Sequence, residues 1–280
     1  MISVIKPKIL DTIYKNSGEE IGKVGGIILN SASMEKEGMV EKFVSGIEKI
    51  KDDSIDTLII EELSSLNRDD IQFIQKKTKL KVLDGKSVLI FFLPIVLNKI
   101  YNELEKDLKA QEVLIIGDVE EITKEVIEVL YKEVRFVTLV GDDENSIENI
   151  SKYILEKTGL SLFTPKNIDK ILTNYSIIIN LKDDGYIDIN KVKKEAIVFD
   201  FSTSKQLYKT IRNKRRPIII DDFIFEIDIQ TKWMGDLVPS CLYEYFCRFD
   251  IRDLKGLLAN GNVNNIEDFI NYGIRNKGRL

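Results

Sequence analysis

Apolar residues along the chain alternate between two patterns: short continuous runs closed by polar turns, and longer segments with apolar positions three or four residues apart. Over residues 25–83 these patterns predict a strand at Gly26–Leu29, an amphipathic helix around Glu37–Ile50 and a strand at Thr57–Ile60. A helix near Arg68–Lys77 follows, opened by Asn67 as N-cap, and then a strand near Leu80–Leu83. Asp84-Gly85 ends that strand. Lys86–Lys109 (KSVLIFFLPIVLNKIYNELEKDLK) reads as one long helix, apolar on most sides in its first half, with Ile100, Leu104 and Leu108 at four-residue spacing in its second. Pro94 predicts a kink or a break within it.

The clearest local pattern begins at Val113. An apolar strand (Val113–Ile116) meets a turn at Gly117, an amphipathic helix (Glu120–Tyr131) and a second strand (Arg135–Val140) that ends at Gly141-Asp142-Asp143. A strand, crossover helix and strand of this length imply parallel pairing. The alternation continues with a helix at Ser146–Thr158, a short strand near Ser161–Phe163 and a helix after Pro165. Strands follow at Ser176–Asn180, Ile197–Phe201 and Pro217–Ile220, and helical patterns return after Pro239. The predicted architecture is α/β: a Rossmann-like, mostly parallel sheet over residues 110–235, joined by a long helix at 86–109 to a smaller N-terminal α/β domain at 1–85, with C-terminal helices at 236–280 packing back on the structure.

Composition narrows the function classes. With 44% hydrophobic and 31% charged residues over 280 positions, the chain can bury a sizeable core and is not an extended disordered protein. A net charge of -5 gives no global attraction to nucleic acid or anionic lipid. The longest apolar run, Val88–Leu97, contains a proline and falls short of the roughly 18–20 residues of a spanning helix. The N-terminus lacks the continuous apolar core of a signal peptide, so the expectation is a cytoplasmic protein without a membrane segment. Histidine is absent, which removes the commonest general base, the Ser-His and Cys-His nucleophile pairs and most zinc sites. No metal site is expected, and Cys241 and Cys247 read as two buried, inert thiols.

Where the strand, the glycine turn and the helix meet, a dinucleotide fingerprint would read G-x-G-x-x-G, each glycine having a steric task. The stretch here is Gly117-Asp118-Val119-Glu120-Glu121-Ile122, so the first glycine is present and the other two places hold Val119 and Ile122. A helix N-terminus attracts phosphate through its unpaired N–H groups and dipole. Asp118, Glu120 and Glu121 put carboxylates there instead, and are expected to cap the helix and repel a pyrophosphate. Asp142, 25 positions after Gly117, stands where an acidic residue would bind the adenosine ribose of NAD. Beside Asp143 and Glu144 it reads equally well as the N-cap region of the next helix. A cofactor held here would be NAD rather than NADP, whose extra phosphate would meet three carboxylates; no cofactor is assigned outright.

Ligands of open α/β sheets bind outside the carboxyl ends of the strands. Gly117, Asp142, Asn180, Asp200 and Ser202 are the polar or turn positions expected there. Asn180 to Gly185 reads equally as a plain turn. After Ser202-Thr203-Ser204, a short predicted helix carries Lys205, Lys209, Arg212 and Arg216 at helical spacing, with Lys214 and Arg215. This basic stretch is a candidate surface for a phosphate-bearing ligand, an RNA backbone or an acidic partner, or simply a solvated helix face followed by an edge strand. Without exposed aromatics or a known module, nucleic acid is not the expected partner. Trp233, Tyr243, Tyr245, Phe246 and Phe249 read as core aromatics or as a homodimer contact.

The succession DGKSVLIFFLPIVLNKIYNELEKDLKAQEVLIIGD, VRFVTLVGDD, NYSIIINLKDDG and KKEAIVFDFS resembles the cofactor half of shikimate dehydrogenase-like, glutamyl-tRNA reductase-like and amino-acid-dehydrogenase-like proteins, over roughly residues 84–226. The resemblance implies a linking helix ahead of a Rossmann domain. It would place Gly117 under the pyrophosphate, Asp142 near the ribose, and Asn180 and Ser202 at the cleft. A shikimate-type site would also need a lysine-aspartate pair, for which Asp84 and Lys86 are candidates by position. Three functions follow as expectations. The first is a dehydrogenase-like protein with a degenerate dinucleotide site, working by ligand binding, regulation or partner binding. The second is an active NAD(P)-dependent oxidoreductase, and the third an interaction scaffold using the basic 205–216 surface.

Overall fold

The computed structural model describes residues 6–29, 36–61, 66–168, 171–183, 187–205, 207, 217–233 and 235–271. Its centre is an eight-stranded sheet. Five strands run parallel: β5 (Glu112–Ile116), β6 (Phe136–Val140), β7 (Ile177–Asn180), β8 (Ile197–Asp200) and β9 (Ile218–Glu226). Their spatial order is β6-β5-β7-β8-β9. Outside β6, Phe163 makes a single parallel bridge to Thr138. Numbered by chain order, that arrangement is 3-2-1-4-5-6, the order of a doubly wound dinucleotide-binding sheet with its third strand reduced to one bridge. The fold is Rossmann-like.

These strands are near-continuous apolar runs because both faces are covered, as parallel sheets require. Val113, Ile115, Val137, Leu139, Ile177, Ile179, Ile197 and Phe199 point to one face. There they meet α3 (Lys86–Glu103), α4 (Glu120–Leu130) and α5 (Glu144–Thr158). Leu114, Ile116, Val140, Ile178, Val198 and Ile219 point to the other face, onto Ile168, Leu172, Tyr175, Ile187, Ile189 and Leu207. Among the described residues that second face carries 3-10 turns at Leu172–Asn174 and Ile189–Lys191 in place of the helix expected after Pro165.

The long helix keeps Pro94 inside it and ends at Glu103, short of the predicted Lys109. The chain then turns at Glu105, whose φ is 55°, and Leu108–Ala110 form a separate 3-10 turn. No helix among the described residues is long and apolar enough to cross a membrane. The start of α3 is capped from a distance: Glu244 accepts from the Gly85 backbone N–H at 2.9 Å and from Ser87 Oγ at 2.6 Å. A carboxylate at this place satisfies orphan donors and complements the helix dipole.

Ahead of α3, α1 (Lys36–Ile50), β3 (Thr57–Ile59), α2 (Arg68–Thr78) and β4 (Lys81–Leu83) enclose their own core of Val40, Ile47, Leu66, Ile74, Leu80 and Val82. Asn67 caps α2 through a reciprocal capping box with Asp70. The predicted strand at Gly26–Leu29 is displaced. An antiparallel pair, β1 (Lys8–Lys15) and β2 (Glu20–Gly26), precedes it, and β1 also pairs with β10 (Ile229–Gln230).

The C-terminal region departs further from the helical expectation. β11 (Leu237–Pro239) and α6 (Ser240–Phe246) are followed by a hairpin, β12 (Leu254–Ala259) and β13 (Asn262–Asn265), that extends the central sheet antiparallel from β9, and then by the short α7 (Ile266–Asp268). Tyr243 of α6 is fully buried and stacks on Phe225 of β9 at 4.0 Å, while Phe92 of α3 meets both edge-on. This aromatic trio ties helix, strand and C-terminal segment together, so Phe225→Ala is expected to cost about 3–5 kcal/mol in urea unfolding. A loss below about 1 kcal/mol would mean that the trio does not carry the contact.

Candidate functional site

The strand order reverses between β5 and β7, and a crevice at the carboxyl ends of such strands is where ligands of open α/β sheets bind. Register puts Ile116, Asn180 and Asp200 side by side across β5, β7 and β8. The residues immediately beyond them, 117–118 and 181–182, define the switch point.

Gly117 sits at the end of β5 with its N–H donated to Val140 O at 2.9 Å. A side chain here would meet Thr123 Oγ1 at 2.9 Å and Leu181 Cδ1 at 3.0 Å. The surviving glycine of the fingerprint therefore permits close packing of β5, α4 and the β7 loop, and its N–H is already used within the protein. The expected self-capping of α4 does not occur: Val119 is the N-cap residue and no side chain caps that end. Glu120 instead pairs with Lys124 at 2.7 Å and accepts from Asn149 at 3.1 Å.

Asp118 turns the other way, over Gly141, whose absent Cβ would lie 2.9 Å from Asp118 Cβ. Its Oδ2 accepts from the Asp142 N–H at 3.0 Å and from Lys182 Nζ at 2.8 Å. The same ammonium reaches Asp142 Oδ2 at 2.9 Å. The side chains of Lys182 and Asp118 are only 11% and 16% exposed, whereas that of Asp142 is 60% exposed. One lysine thus bridges the ends of β5, β6 and β7. Burial acts to raise the Asp118 carboxyl, but the hydrogen bonds from Lys182 and the Asp142 and Asp143 backbone outweigh it and hold Asp118 below the usual carboxylate range. Asp143 caps α5 through the Asn145 N–H at 3.0 Å.

Asn180 and Ser202 belong to a second, adjoining network. Asn180 Nδ2 donates to Lys182 O at 3.0 Å and to Asp200 Oδ1 at 2.9 Å, and Ser202 Oγ donates to the same Asp200 oxygen at 2.6 Å. Asp200 is fully buried, and burial raises its carboxyl against the pull of the Ser202 and Asn180 hydrogen bonds. Asp84 and Lys86 do form an ion pair, at 3.1 Å, and Lys86 Nζ donates to Thr203 Oγ1 at 2.9 Å, which brings the start of α3 against the loop after β8.

Of the basic stretch, Lys205 is turned inward, with its Nζ donating to Asp221 O and lying 3.7 Å from Asp222 Oδ2. It is therefore a poor anion ligand. Lys209, Arg212, Lys214, Arg215 and Arg216 lie outside the described residues, as do Asp184 and Gly185. Cys241 is half-buried, its thiol pushed up to about 12 chiefly by burial, but Cys247 is exposed, contrary to the expectation of two buried thiols. Among the described residues no group of side chains is arranged to hold a metal ion.

Sequence reasoning missed Lys182 and the Asp221-Asp222 pair. The only local signal for Lys182 was its place two residues beyond the end of a predicted parallel strand. The signal for the aspartates was a charged pair inside the apolar run IIIDDFIFE.

No family model matches the chain, and no curated protein matches its sequence. Solved structures similar to it include the L-tryptophan dehydrogenase of Nostoc punctiforme (14% identity, TM-score 0.32, 60% of this chain and 48% of that one). The shikimate 5-dehydrogenase of Listeria monocytogenes, in complex with shikimate and NAD, is another (14% identity, TM-score 0.31, 65% of this chain and 68% of that one). A third is the iminosuccinate reductase of Paracoccus denitrificans, in complex with NAD+ (12% identity, TM-score 0.33, 42% of this chain and 36% of that one). The chain thus spans less than half of the tryptophan dehydrogenase and about a third of the iminosuccinate reductase. Shikimate and amino-acid dehydrogenases are among the proteins that the sequence pattern resembles; the Rossmann-like assignment itself rests on strand order and register.

Removing the bridge should be measurable in the protein alone. Lys182→Met leaves two carboxylates facing each other, and is expected to lower stability by about 1–3 kcal/mol in urea unfolding, between the values for exposed and buried pairs. Because the folded state holds Asp118 below its ordinary value of 3.8, its contribution is complete above that value and is lost as pH falls through the depressed one. The variant should therefore lose less stability on acidification than the parent. Equal acid sensitivity of the two would contradict the bridge.

Proposed function

We propose that the chain is a dehydrogenase-like Rossmann protein with a degenerate dinucleotide site, acting by binding a small-molecule or protein ligand rather than by NAD-linked hydride transfer. The observation that carries this reading is Lys182 Nζ, 2.8 Å from Asp118 and 2.9 Å from Asp142 across the switch point. A pyrophosphate entering there would have to displace an internal ammonium from two carboxylates. It would then face Asp118 and Glu120 at the helix start, which reverses the usual electrostatics of such a site. Val119 and Ile122 add side chains where the fingerprint has none.

A second reading, an active NAD(P)-dependent oxidoreductase, is favoured by one feature. Asp142 is exposed at the end of β6, the position from which an acidic side chain contacts a ribose. In that reading NAD is the cofactor, and binding moves Lys182 off the carboxylates.

Calorimetric titration with NAD, NADH, NADP and NADPH separates the two. The proposal predicts no micromolar binding of any of them to the parent protein. Micromolar binding of NAD or NADH that is lost in Asp142→Ala would establish the second reading and contradict the first.

A further inference from the structure

The strand β9 carries two consecutive carboxylates, Asp221 and Asp222, within an otherwise apolar run. Its pairing with β12 slips at this point: Ala259 faces Ile220 and Leu258 faces Asp222, leaving Asp221 as the extra residue of a β-bulge. A bulge of this kind re-aims side chains and recurs beside functional sites. It resets the alternation so that Ile220, Phe223 and Phe225 share one core. Asp221 follows Ile220, and Asp200 follows Phe199, to which Ile220 is paired. The bulge therefore lies on the same carboxyl edge as Asn180 and Asp200.

Three carboxylates gather there, Asp200 at 0% and Asp221 and Asp222 at 7% exposure each. Their hydrogen bonding is unequal. Asp200 accepts from Asn180, Ser202 and the Leu207 N–H. Asp222 Oδ1 accepts from the Phe223 N–H at 2.8 Å and the Ser240 N–H at 3.3 Å. Asp221 Oδ1 is buried without a hydrogen-bond partner, and so is Ser240 Oγ, on the residue whose N–H meets Asp222. Lys205, the cation facing this group, donates to the Asp221 carbonyl and leaves the Asp221 carboxylate unbonded. Burial, reinforced by the Asp200 and Asp222 charges and opposed by Lys205, pushes the Asp221 carboxyl up to about 7. A buried carboxylate oxygen without a donor is costly, and natural proteins seldom keep one idle.

We propose that this bulge is a small-molecule site for an ammonium group, whose N–H donates to Asp221 Oδ1, with Asp222 beside it. Among the described residues, three carboxylates face one cation, Lys205, which favours a positive ligand over an anion. The site stands apart from the Lys182 bridge and holds whether or not a dinucleotide binds at Gly117.

Thermal unfolding of the whole chain in methylammonium chloride, compared with tetramethylammonium chloride at equal ionic strength, tests the assignment, since only the first has N–H donors. Methylammonium is expected to raise the Tm by about 2–4 °C near saturation, and tetramethylammonium to leave it unchanged. The shift should grow between about pH 6 and about pH 8, as Asp221 ionises against Asp200, Asp222 and Lys205. It should vanish in Asp221→Asn, which removes a buried charge and should unfold no lower than the parent. Equal shifts from the two salts, or an undiminished shift in Asp221→Asn, would overturn the proposal. Should that variant fail to fold, a methylammonium shift identical at the two pH values would overturn it.

Discussion

Among the described residues, the ammonium of Lys182 holds the carboxyl edge of the sheet together at β5, β6 and β7. Asp118 and Asp142 follow strands that lie side by side, and their carboxylates come together because Asp118 folds back over Gly141 to accept the Asp142 N–H. Two such groups, one half-buried and one exposed, repel, and a cation within hydrogen-bond reach of both converts that repulsion into a cross-link. The arrangement depends on the strand order. β7 lies beside β5 only because the chain returns across the sheet, and this return carries Lys182 to the switch point.

The same edge shows how a Rossmann-like scaffold reassigns its polar groups. Gly117 allows β5, α4 and Leu181 to approach closely, and its N–H is held by β6. The first turn of α4 is lined by carboxylates that pair with Lys182 and Lys124. Farther along, Asn180, Asp200 and Ser202 satisfy one another, while Asp221 on the bulge is left with an unbonded oxygen. Buried polar atoms without a partner thus remain at both ends of the row, Thr123 Oγ1 beside Gly117 and Asp221 Oδ1 on the bulge.

Much of the fold was legible in the sequence where local pattern determines structure. The apolar runs VLII, FVTLV, IIIN and IVFD are strands buried on both faces, and the helices after Gly117 and Asp143 show their apolar stripes plainly. Elements set by distant partners were not legible. The sequence pattern predicts a strand ending at Ile220, before the polar Asp221-Asp222, whereas a bulge carries β9 through to Glu226. The hairpin β12–β13 stands where the pattern after Pro239 predicts helix, although Asn260-Gly261, both at positive φ (50° and 76°), is a strong two-residue turn signal. At the site, Gly117, Asp118 and Asp142 were recognisable from the fingerprint position. Their use was not, because it depends on Lys182, 64 residues from Asp118 in sequence.

Whether the protein's own lysine closes the switch point is decided by a crystal structure grown in millimolar NADH. Lys182 Nζ is expected within hydrogen-bond distance of both Asp118 and Asp142, with no dinucleotide over Gly117. A pyrophosphate ordered at the start of α4, with Lys182 withdrawn from the two carboxylates, would contradict that closure.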